Sequence, residues 1–261
     1  MLKSRILSGI IGAVVLFAVV IAGTLPLRIA VGIVSVCMLF ELFRAISIEK
    51  KLALFIPSAV YVAIVSTALF SHLHNLLSSV LIAILCISFL FDMKNIHITD
   101  VGISALFSLL ISLFMGCITK IRLMPDGAWL IWFVFIGAWA SDIFAYAAGM
   151  LFGKHKLIPH VSPGKTIEGS IGGIVGSAGA CFVFALCTAS KLQIEPYYFI
   201  GMGILSSVLG QIGDLVASAI KRQYNIKDYG RIMPGHGGFM DRFDSILFVA
   251  PAVLFFLQII L

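Results

Sequence analysis

Residues 128–150 read AWLIWFVFIGAWASDIFAYAAGM, and this stretch decides the fold because Asp142 is its only acidic or basic side chain. A helix of about 20 mostly apolar residues crosses the hydrocarbon core of a bilayer, so a run of this length predicts a membrane-spanning helix. Similar apolar runs recur along the rest of the chain. We predict spans at about 6–22, 25–46, 52–70, 76–92, 101–118, 128–150, 169–189, 197–220 and 245–261.

The composition of the whole chain also indicates a protein of the bilayer. Of its 261 residues, 61% are apolar and 11% are charged, and the mean hydropathy is +1.11. A soluble domain has roughly 45–50% apolar and about 25% charged residues, so this chain has too few charges to cover a water-facing surface. Unbroken apolar runs also differ from the alternating strands of an outer-membrane barrel. The sequence therefore predicts an all-α, polytopic integral membrane protein with about nine transmembrane helices.

The distribution of basic residues predicts the orientation of the chain. With the N-terminus inside, fourteen of the 18 Lys and Arg side chains fall in inside segments and four in outside segments. Cytoplasmic loops carry such an excess, so we expect a cytoplasmic N-terminus in the inner (plasma) membrane. Both long polar loops, 151–168 and 221–244, would then face the cytoplasm. The net charge of +6 has the same origin and does not indicate a nucleic-acid partner.

The polar chemistry is concentrated in the second half of the chain. We therefore predict N-terminal membrane helices over 1–127, serving as a scaffold, dimer or lipid-access region. A catalytic membrane region would follow over 128–261 and would contain both polar loops. We find no internal repeat relating the two halves, although many transporters have one.

Ionisable side chains within apolar runs are candidates for function, because an ionised group at bilayer depth costs at least about 2.5–3.5 kcal/mol. Asp142 lies in the sixth predicted span and Asp214 in the eighth. Glu41 is followed three residues later by Arg44 on the same helical face, which we interpret as an ion pair at the end of a helix. Asp142 and Asp214 remain as candidates.

Asp214 begins a polar stripe on one face of its predicted helix. Ser218, Lys221 and Arg222 follow at i+4, i+7 and i+8, so the stripe would run from the bilayer interior to its cytoplasmic edge. Two interpretations are open here. The stripe could bind a ligand, or it could pack helices while Lys221 and Arg222 snorkel to the membrane surface.

The loop after this helix combines glycines, cations and carboxylates. Glycine lets the backbone approach a ligand closely and exposes N–H groups that can cradle phosphate oxygens. Carboxylates beside phosphate-binding cations are typical of sites where Mg²⁺ bridges the two, and a helix would place Asp241 and Asp244 on one face. The stretches that carry these residues are Lys227-Asp228-Tyr229-Gly230-Arg231, Pro234-Gly235-His236-Gly237-Gly238 and Asp241-Arg242-Phe243-Asp244.

The other loop contains Ser162-Pro163-Gly164-Lys165-Thr166, which invites comparison with a P-loop. That motif requires glycine at position 159, where this chain has Pro159, and a preceding hydrophobic strand. The P-loop interpretation therefore fails, and Lys165 remains a candidate point charge for phosphate. The glycines at 169, 172, 173, 176 and 179 are typical of close helix packing.

Residues 218–244, SAIKRQYNIKDYGRIMPGHGGFMDRFD, resemble the signature of the phosphatidate cytidylyltransferases, or CDP-diacylglycerol synthases. The stretch from Ser141 to Gly169 resembles an upstream block of the same family. Two positions depart from the family pattern, Met233 in place of leucine and Gly164 where lysine is frequent. We call residues 218–244 the signature segment.

The resemblance implies the reaction CTP + phosphatidate → CDP-diacylglycerol + pyrophosphate, with Mg²⁺ as cofactor. It also implies a homodimer with a polar, cytoplasm-facing cavity within the membrane. The lipid phosphate would attack the α-phosphorus of CTP in line, so catalysis would consist mainly of positioning and charge neutralisation. The family's metal-binding aspartates match Asp214 and Asp241, which would hold one or two metal ions.

The remaining roles follow from the same expected reaction. Asp244 would be a third metal ligand or a partner of Arg242. His236 would orient a ligand or donate a proton to pyrophosphate. The expected catalytic residues are Lys221, Arg222, Lys227, His236 and Arg242. The expected substrate-binding residues are Asp142, Lys165, Thr166, Ser218, Arg231, Gly235, Gly237 and Gly238.

Two other functions stay open at this point. An ion- or proton-coupled transporter would use Asp142 and Asp214 as coupling carboxylates. A polyprenol or dolichol kinase-like lipid phosphotransferase would release a nucleoside diphosphate in place of pyrophosphate. The leaving group therefore separates the three functions.

Overall fold

The computed structural model describes residues 2–230, 232 and 237–261, with side chains from residue 9 onward. Its N-terminal helices are α1 (Leu2–Ala22), α2 (Thr24–Ala45), α3 (Leu52–Ser66), α4 (His74–Phe91) and α5 (Ile98–Leu123). The later helices are α6 (Gly127–Leu130), α7 (Trp132–Phe152), α8 (Ile167–Leu192), α9 (Tyr198–Gln223) and α10 (Met240–Ile260). The described chain is therefore helical almost throughout.

Seven segments of the described chain are long and apolar enough to span a membrane. They contain α2, α4, α5, α6 with α7, α8, α9 and α10. Two further apolar helices, Gly9–Ala22 within α1 and Leu52–Ser66, are shorter. The prediction of an all-α polytopic membrane protein is confirmed, whereas the number of nine spans stays a prediction.

The chain forms two compact units. Unit 1 comprises Met1–Thr119 and Ile226–Arg242, and unit 2 comprises Lys120–Asn225 and Phe243–Leu261. Helix α10 begins in unit 1 and continues in unit 2. The predicted functional division at residue 127 is a separate question and stays a prediction.

In unit 2, glycines bring α8 close to α7. A Cβ on Gly172 would collide with Ala148, and one on Gly176 would collide with the ring of Phe144. A Cβ on Gly173 would lie 2.9 Å from the carbonyl oxygen of Ser141. The predicted close packing is therefore confirmed at these three glycines, as expected for membrane helices that meet through small residues.

Short polar side chains also connect α7, α8 and α9. The hydroxyl groups of Ser141 and Ser207 are hydrogen-bonded at 2.7 Å. Ser177 donates to the carbonyl oxygen of Gly137 at 3.0 Å. Interhelical hydrogen bonds of this kind satisfy polar groups away from water, and here they hold the helices that carry Asp142 and Asp214.

The loop 151–168 contains an antiparallel hairpin that the sequence analysis did not predict. Its strands are β1 (Lys156–Ile158) and β2 (Ser162–Thr166), with Lys156 opposite Thr166 and Ile158 opposite Ser162. The strands are short and lack the apolar–polar alternation that identifies a strand in sequence. The hairpin leads directly into α8, where the hydroxyl of Thr166 caps the helix by accepting the N–H of Gly169 at 3.1 Å.

Candidate active site

Unit 2 gathers three carboxylates and two lysines from four elements. Asp142 lies on α7, Lys165 on β2, Asp214 and Lys221 on α9, and Asp244 on α10. Asp142 interacts electrostatically with Asp214 and Lys165. Asp244 interacts electrostatically with Asp214, Asp142 and Lys221. We call these five side chains the carboxylate–lysine cluster.

The contact between Lys165 and Asp214 is an ion pair from Nζ to Oδ2. The two side chains are 28% and 27% exposed, so the pair is accessible from outside the protein. The hydroxyl of Ser218 donates to Oδ1 of Asp214 at 3.3 Å. This bond confirms that Asp214 and Ser218 share one helix face, as the i, i+4 spacing predicts.

Asp244 lies deeper than Asp214, with 9% of the residue exposed. Its Oδ1 accepts the backbone N–H of Ser245 at 2.7 Å. Gly213 on α9 allows the close approach of α10, because a Cβ there would lie 2.6 Å from the carbonyl oxygen of Asp244. The contact between α9 and α10 thus places a second carboxylate beside Asp214.

The hairpin that carries Lys165 is held at its tip and at its base. At the tip, Nε of Arg222 donates to the carbonyl oxygen of Val161 at 3.2 Å. At the base, Glu168 accepts the N–H of Lys154 at 3.1 Å and contacts Nδ1 of His155 at 2.7 Å. These contacts fix the strand from which Lys165 reaches Asp214.

Asp241 belongs to unit 1 and has a different environment. Its Oδ2 accepts the backbone N–H of Tyr229 at 2.9 Å and that of Gly238 at 3.0 Å. Gly237 has φ +86°, and a Cβ on it would lie 2.8 Å from the same oxygen. The carboxylate therefore organises the backbone that precedes α10. The predicted pairing of Asp241 with Asp214 at one metal stays a prediction.

Two residues of α2 contact the same backbone, although the sequence analysis gave them no role in the site. Glu41 accepts the N–H of Phe239 at 3.1 Å and that of Met240 at 2.8 Å. Arg44 donates to the carbonyl oxygen of Tyr229 at 2.7 Å. Glu41 and Arg44 interact electrostatically, in line with the pair expected from the sequence, and each side chain also has a backbone partner that the sequence did not predict.

The other predicted site residues fall into three groups. Thr166 is buried and its hydroxyl caps α8, while the N–H of Gly238 is bonded to Asp241. Lys227 and Arg242 are exposed. The substrate and catalytic roles assigned to all of these residues stay predictions. Outside the described residues lie Arg231, Gly235 and His236.

The carboxylate oxygens of the cluster are the hard donors that Mg²⁺ prefers. No group of three His, Cys, Asp or Glu side chains within the described ranges could hold a metal ion by itself. Mg²⁺ commonly uses one or two carboxylates together with substrate phosphates, so a complete protein cage is not required. The residues present therefore fit a metal that binds together with a phosphate-containing substrate.

Nearly the whole chain, and not only the site, is similar to known proteins. Residues 3–260 match the model of the cytidylyltransferase family. The chain is 36% identical over 270 aligned residues to the phosphatidate cytidylyltransferase of Bacillus subtilis (strain 168), covering 99% of this chain and 98% of that protein. It is 32% identical over 256 residues to the phosphatidate cytidylyltransferase of Staphylococcus aureus (strain COL), covering 96% of each. The protein of that name from Staphylococcus haemolyticus (strain JCSC1435) is 47% identical over 126 residues, 48% of each chain.

Proposed function

The chain belongs to the cytidylyltransferase family, and on that premise we propose that it transfers a cytidylyl group from CTP to phosphatidate, forming CDP-diacylglycerol and pyrophosphate. The family match agrees with the resemblance seen in the signature segment. It also favours this reaction over the transporter and the lipid kinase that the sequence left open.

The observation that carries the proposal is the carboxylate–lysine cluster of unit 2. Asp142, Asp214 and Asp244 lie on helices that are apolar enough to span a membrane, where ionisable groups are costly and usually functional. Lys165 and Lys221 bring positive charge to the same carboxylates. A site with both signs of charge suits a phosphate-rich nucleotide and a lipid head group that stays at the membrane.

In the proposed reaction, a phosphate oxygen of phosphatidate attacks the α-phosphorus of CTP. The new phosphorus–oxygen bond forms as the bond to the bridging oxygen breaks, and pyrophosphate leaves. The attacking oxygen is already anionic at neutral pH, so the protein needs no strong general base. Lys165 and Lys221 would neutralise charge on the phosphates, and Asp142 would help to position Lys165, with which it interacts electrostatically.

We assign Mg²⁺ to the carboxylates of Asp214 and Asp241, with Asp244 as a further ligand or as a residue that orients one. Bound there, the metal would supply neutralising charge at the nucleotide phosphates. Ser218 would orient the Asp214 carboxylate through the hydrogen bond between them. The remaining predicted cations would complete the binding of the two phosphate-containing substrates: Arg222, Lys227, Arg231 and Arg242.

The proposal also includes the setting of the enzyme. We place the site at the cytoplasmic face of the plasma membrane, because the excess of Lys and Arg favours a cytoplasmic N-terminus and CTP is a cytoplasmic compound. The homodimer implied by the family resemblance is part of the same proposal.

The reaction can be tested with purified protein in mixed micelles containing phosphatidate, CTP and Mg²⁺. Label on the α-phosphate of CTP should enter the lipid, and label on the γ-phosphate should appear in pyrophosphate. A lipid kinase would give the opposite result, with γ-label in the lipid and release of CDP. Absence of α-labelled lipid from folded protein would overturn the proposal.

A further inference from the structure

Glu41 is a buried carboxylate that accepts hydrogen bonds from two backbone N–H groups of one turn. The residue is 0% exposed, and its two oxygens separately accept the N–H of Phe239 and the N–H of Met240. Met240 is the first residue of α10. The first N–H groups of a helix have no partner within the helix, and a carboxylate at that position satisfies them and interacts favourably with the helix dipole.

The backbone of the signature segment is fitted closely around this carboxylate. A Cβ on Gly230 or on Gly238 would collide with the carboxylate oxygens of Glu41. Any larger residue at either position would therefore clash with the carboxylate of Glu41. The acid of α2 and the glycines of the signature segment form one packed arrangement within unit 1.

The same arrangement leads to Asp241. The N–H of Gly238 is bonded to Oδ2 of Asp241, and so is the N–H of Tyr229. The carbonyl oxygen of Tyr229 accepts a hydrogen bond from Arg44. Glu41 and Arg44 lie about one helical turn apart on α2. Together they hold the backbone next to both N–H groups that bind Asp241, Glu41 after Gly238 and Arg44 at Tyr229.

We propose that Glu41 is a positioning residue of this enzyme. It fixes the backbone around Asp241 through Phe239 and Met240, with Arg44 fixing the same backbone at Tyr229. The inference rests on the proposed function for its catalytic consequence, because Asp241 is there assigned to Mg²⁺. Glu41 itself is not placed in contact with substrate or metal.

Glu41→Gln is the informative substitution, because glutamine has nearly the same volume but only one oxygen acceptor. Its NH₂ group would face a backbone N–H, so one of the two bonds would be lost. Loss of a residue that orients a metal ligand typically costs about 10–100-fold in metal affinity or activity. We expect Glu41→Gln to raise the Mg²⁺ concentration for half-maximal activity by about tenfold, with the KM for phosphatidate within about twofold.

Asp100→Asn is the matched control in the same unit. Asp100 forms an ion pair with Lys51 and accepts the N–H of His97, away from the signature segment. We expect this variant to leave the Mg²⁺ dependence unchanged. An equal shift in Asp100→Asn would overturn the inference, since the effect would then reflect general destabilisation of unit 1.

A second readout does not depend on activity. Hydrogen exchange of the peptides covering residues 237–241 should be faster in Glu41→Gln than in the wild-type protein, and unchanged in Asp100→Asn. If Glu41→Gln does not fold, Arg44→Gln provides the same two measurements through the bond to Tyr229.

Wild-type exchange rates and wild-type Mg²⁺ dependence in a folded variant would overturn the inference. A wild-type protein that makes no CDP-diacylglycerol would overturn the proposed function, while the exchange result would still decide the positioning role.

Discussion

Asp214 and Asp241 have the same side chain, but the protein binds the two carboxylates in different ways. Asp214 is bound by side chains, the ammonium group of Lys165 and the hydroxyl of Ser218. Asp241 is bound by backbone N–H groups, those of Tyr229 and Gly238. Asp214 lies in the carboxylate–lysine cluster, whereas the hydrogen bonds of Asp241 to Tyr229 and Gly238 support the backbone of a loop.

This difference has a consequence for how each residue responds to change. A lysine side chain that is partly exposed can change its partner at small cost, whereas a backbone N–H that loses its acceptor stays where the fold puts it. Asp214 should therefore be important mainly for activity. Asp241 should be important for activity and for stability.

The largest effect should come from removing the negative charge of either aspartate. We expect Asp214→Asn and Asp241→Asn each to lower Mg²⁺-dependent turnover by about 100-fold or more, because an amide is a poor ligand for Mg²⁺. Turnover is measured as α-labelled lipid formed by the purified variants, after size-exclusion chromatography has shown that they fold. Full activity in either variant would discard its metal assignment.

Alanine at the same two positions should separate the two environments. Asp241→Ala leaves two backbone N–H groups without their acceptor, at about 1–3 kcal/mol for each group that stays buried. We therefore expect it to lower the free energy of unfolding, measured by denaturant titration in detergent, by about 2–3 kcal/mol more than Asp214→Ala does. Equal losses in the two variants would contradict the comparison.

The sequence predicted the parts of the structure that depend on local rules. Apolar runs of bilayer length located the helices, and helical spacing placed Asp214 and Ser218 on one face. The spacing of Asp241 and Asp244 likewise agrees with their position in the first turns of α10.

The sequence did not predict the contacts that join distant segments. Glu41 is separated from Phe239 by 198 positions, and it binds backbone groups that carry no side-chain signal. An acid in an apolar run indicated an unusual position, but Arg44 three residues later supplied a local partner, with which Glu41 does interact electrostatically, so nothing in the sequence indicated the backbone contacts. The Lys165–Asp214 ion pair likewise could not be predicted from the sequence, because it depends on a hairpin whose strands lack the alternating pattern of a strand.

A smaller effect should follow from the backbone conformation beside Asp241. Gly237→Ala places a Cβ in the left-handed region and against Oδ2 of Asp241, which should cost about 1–2 kcal/mol of stability. Gly164→Ala is the matched control, since a Cβ there meets nothing within 4 Å. Thermal unfolding of the two variants in one detergent measures the difference. If Gly237→Ala is as stable as the control, the close fit of this loop around Asp241 is not required.

The smallest effect should be that of Lys165, because its ion pair is partly exposed and such pairs contribute little to stability. We expect Lys165→Gln to leave the unfolding midpoint nearly unchanged but to raise the KM for CTP by about fivefold, since one of several phosphate-binding charges is lost. Lys156→Gln, on the other strand of the same hairpin, removes an exposed charge and should change neither quantity. A large loss of stability with an unchanged KM would show that Lys165 serves mainly to neutralise Asp214. Asp214 would then matter for stability as Asp241 does, which would contradict the difference between the two aspartates.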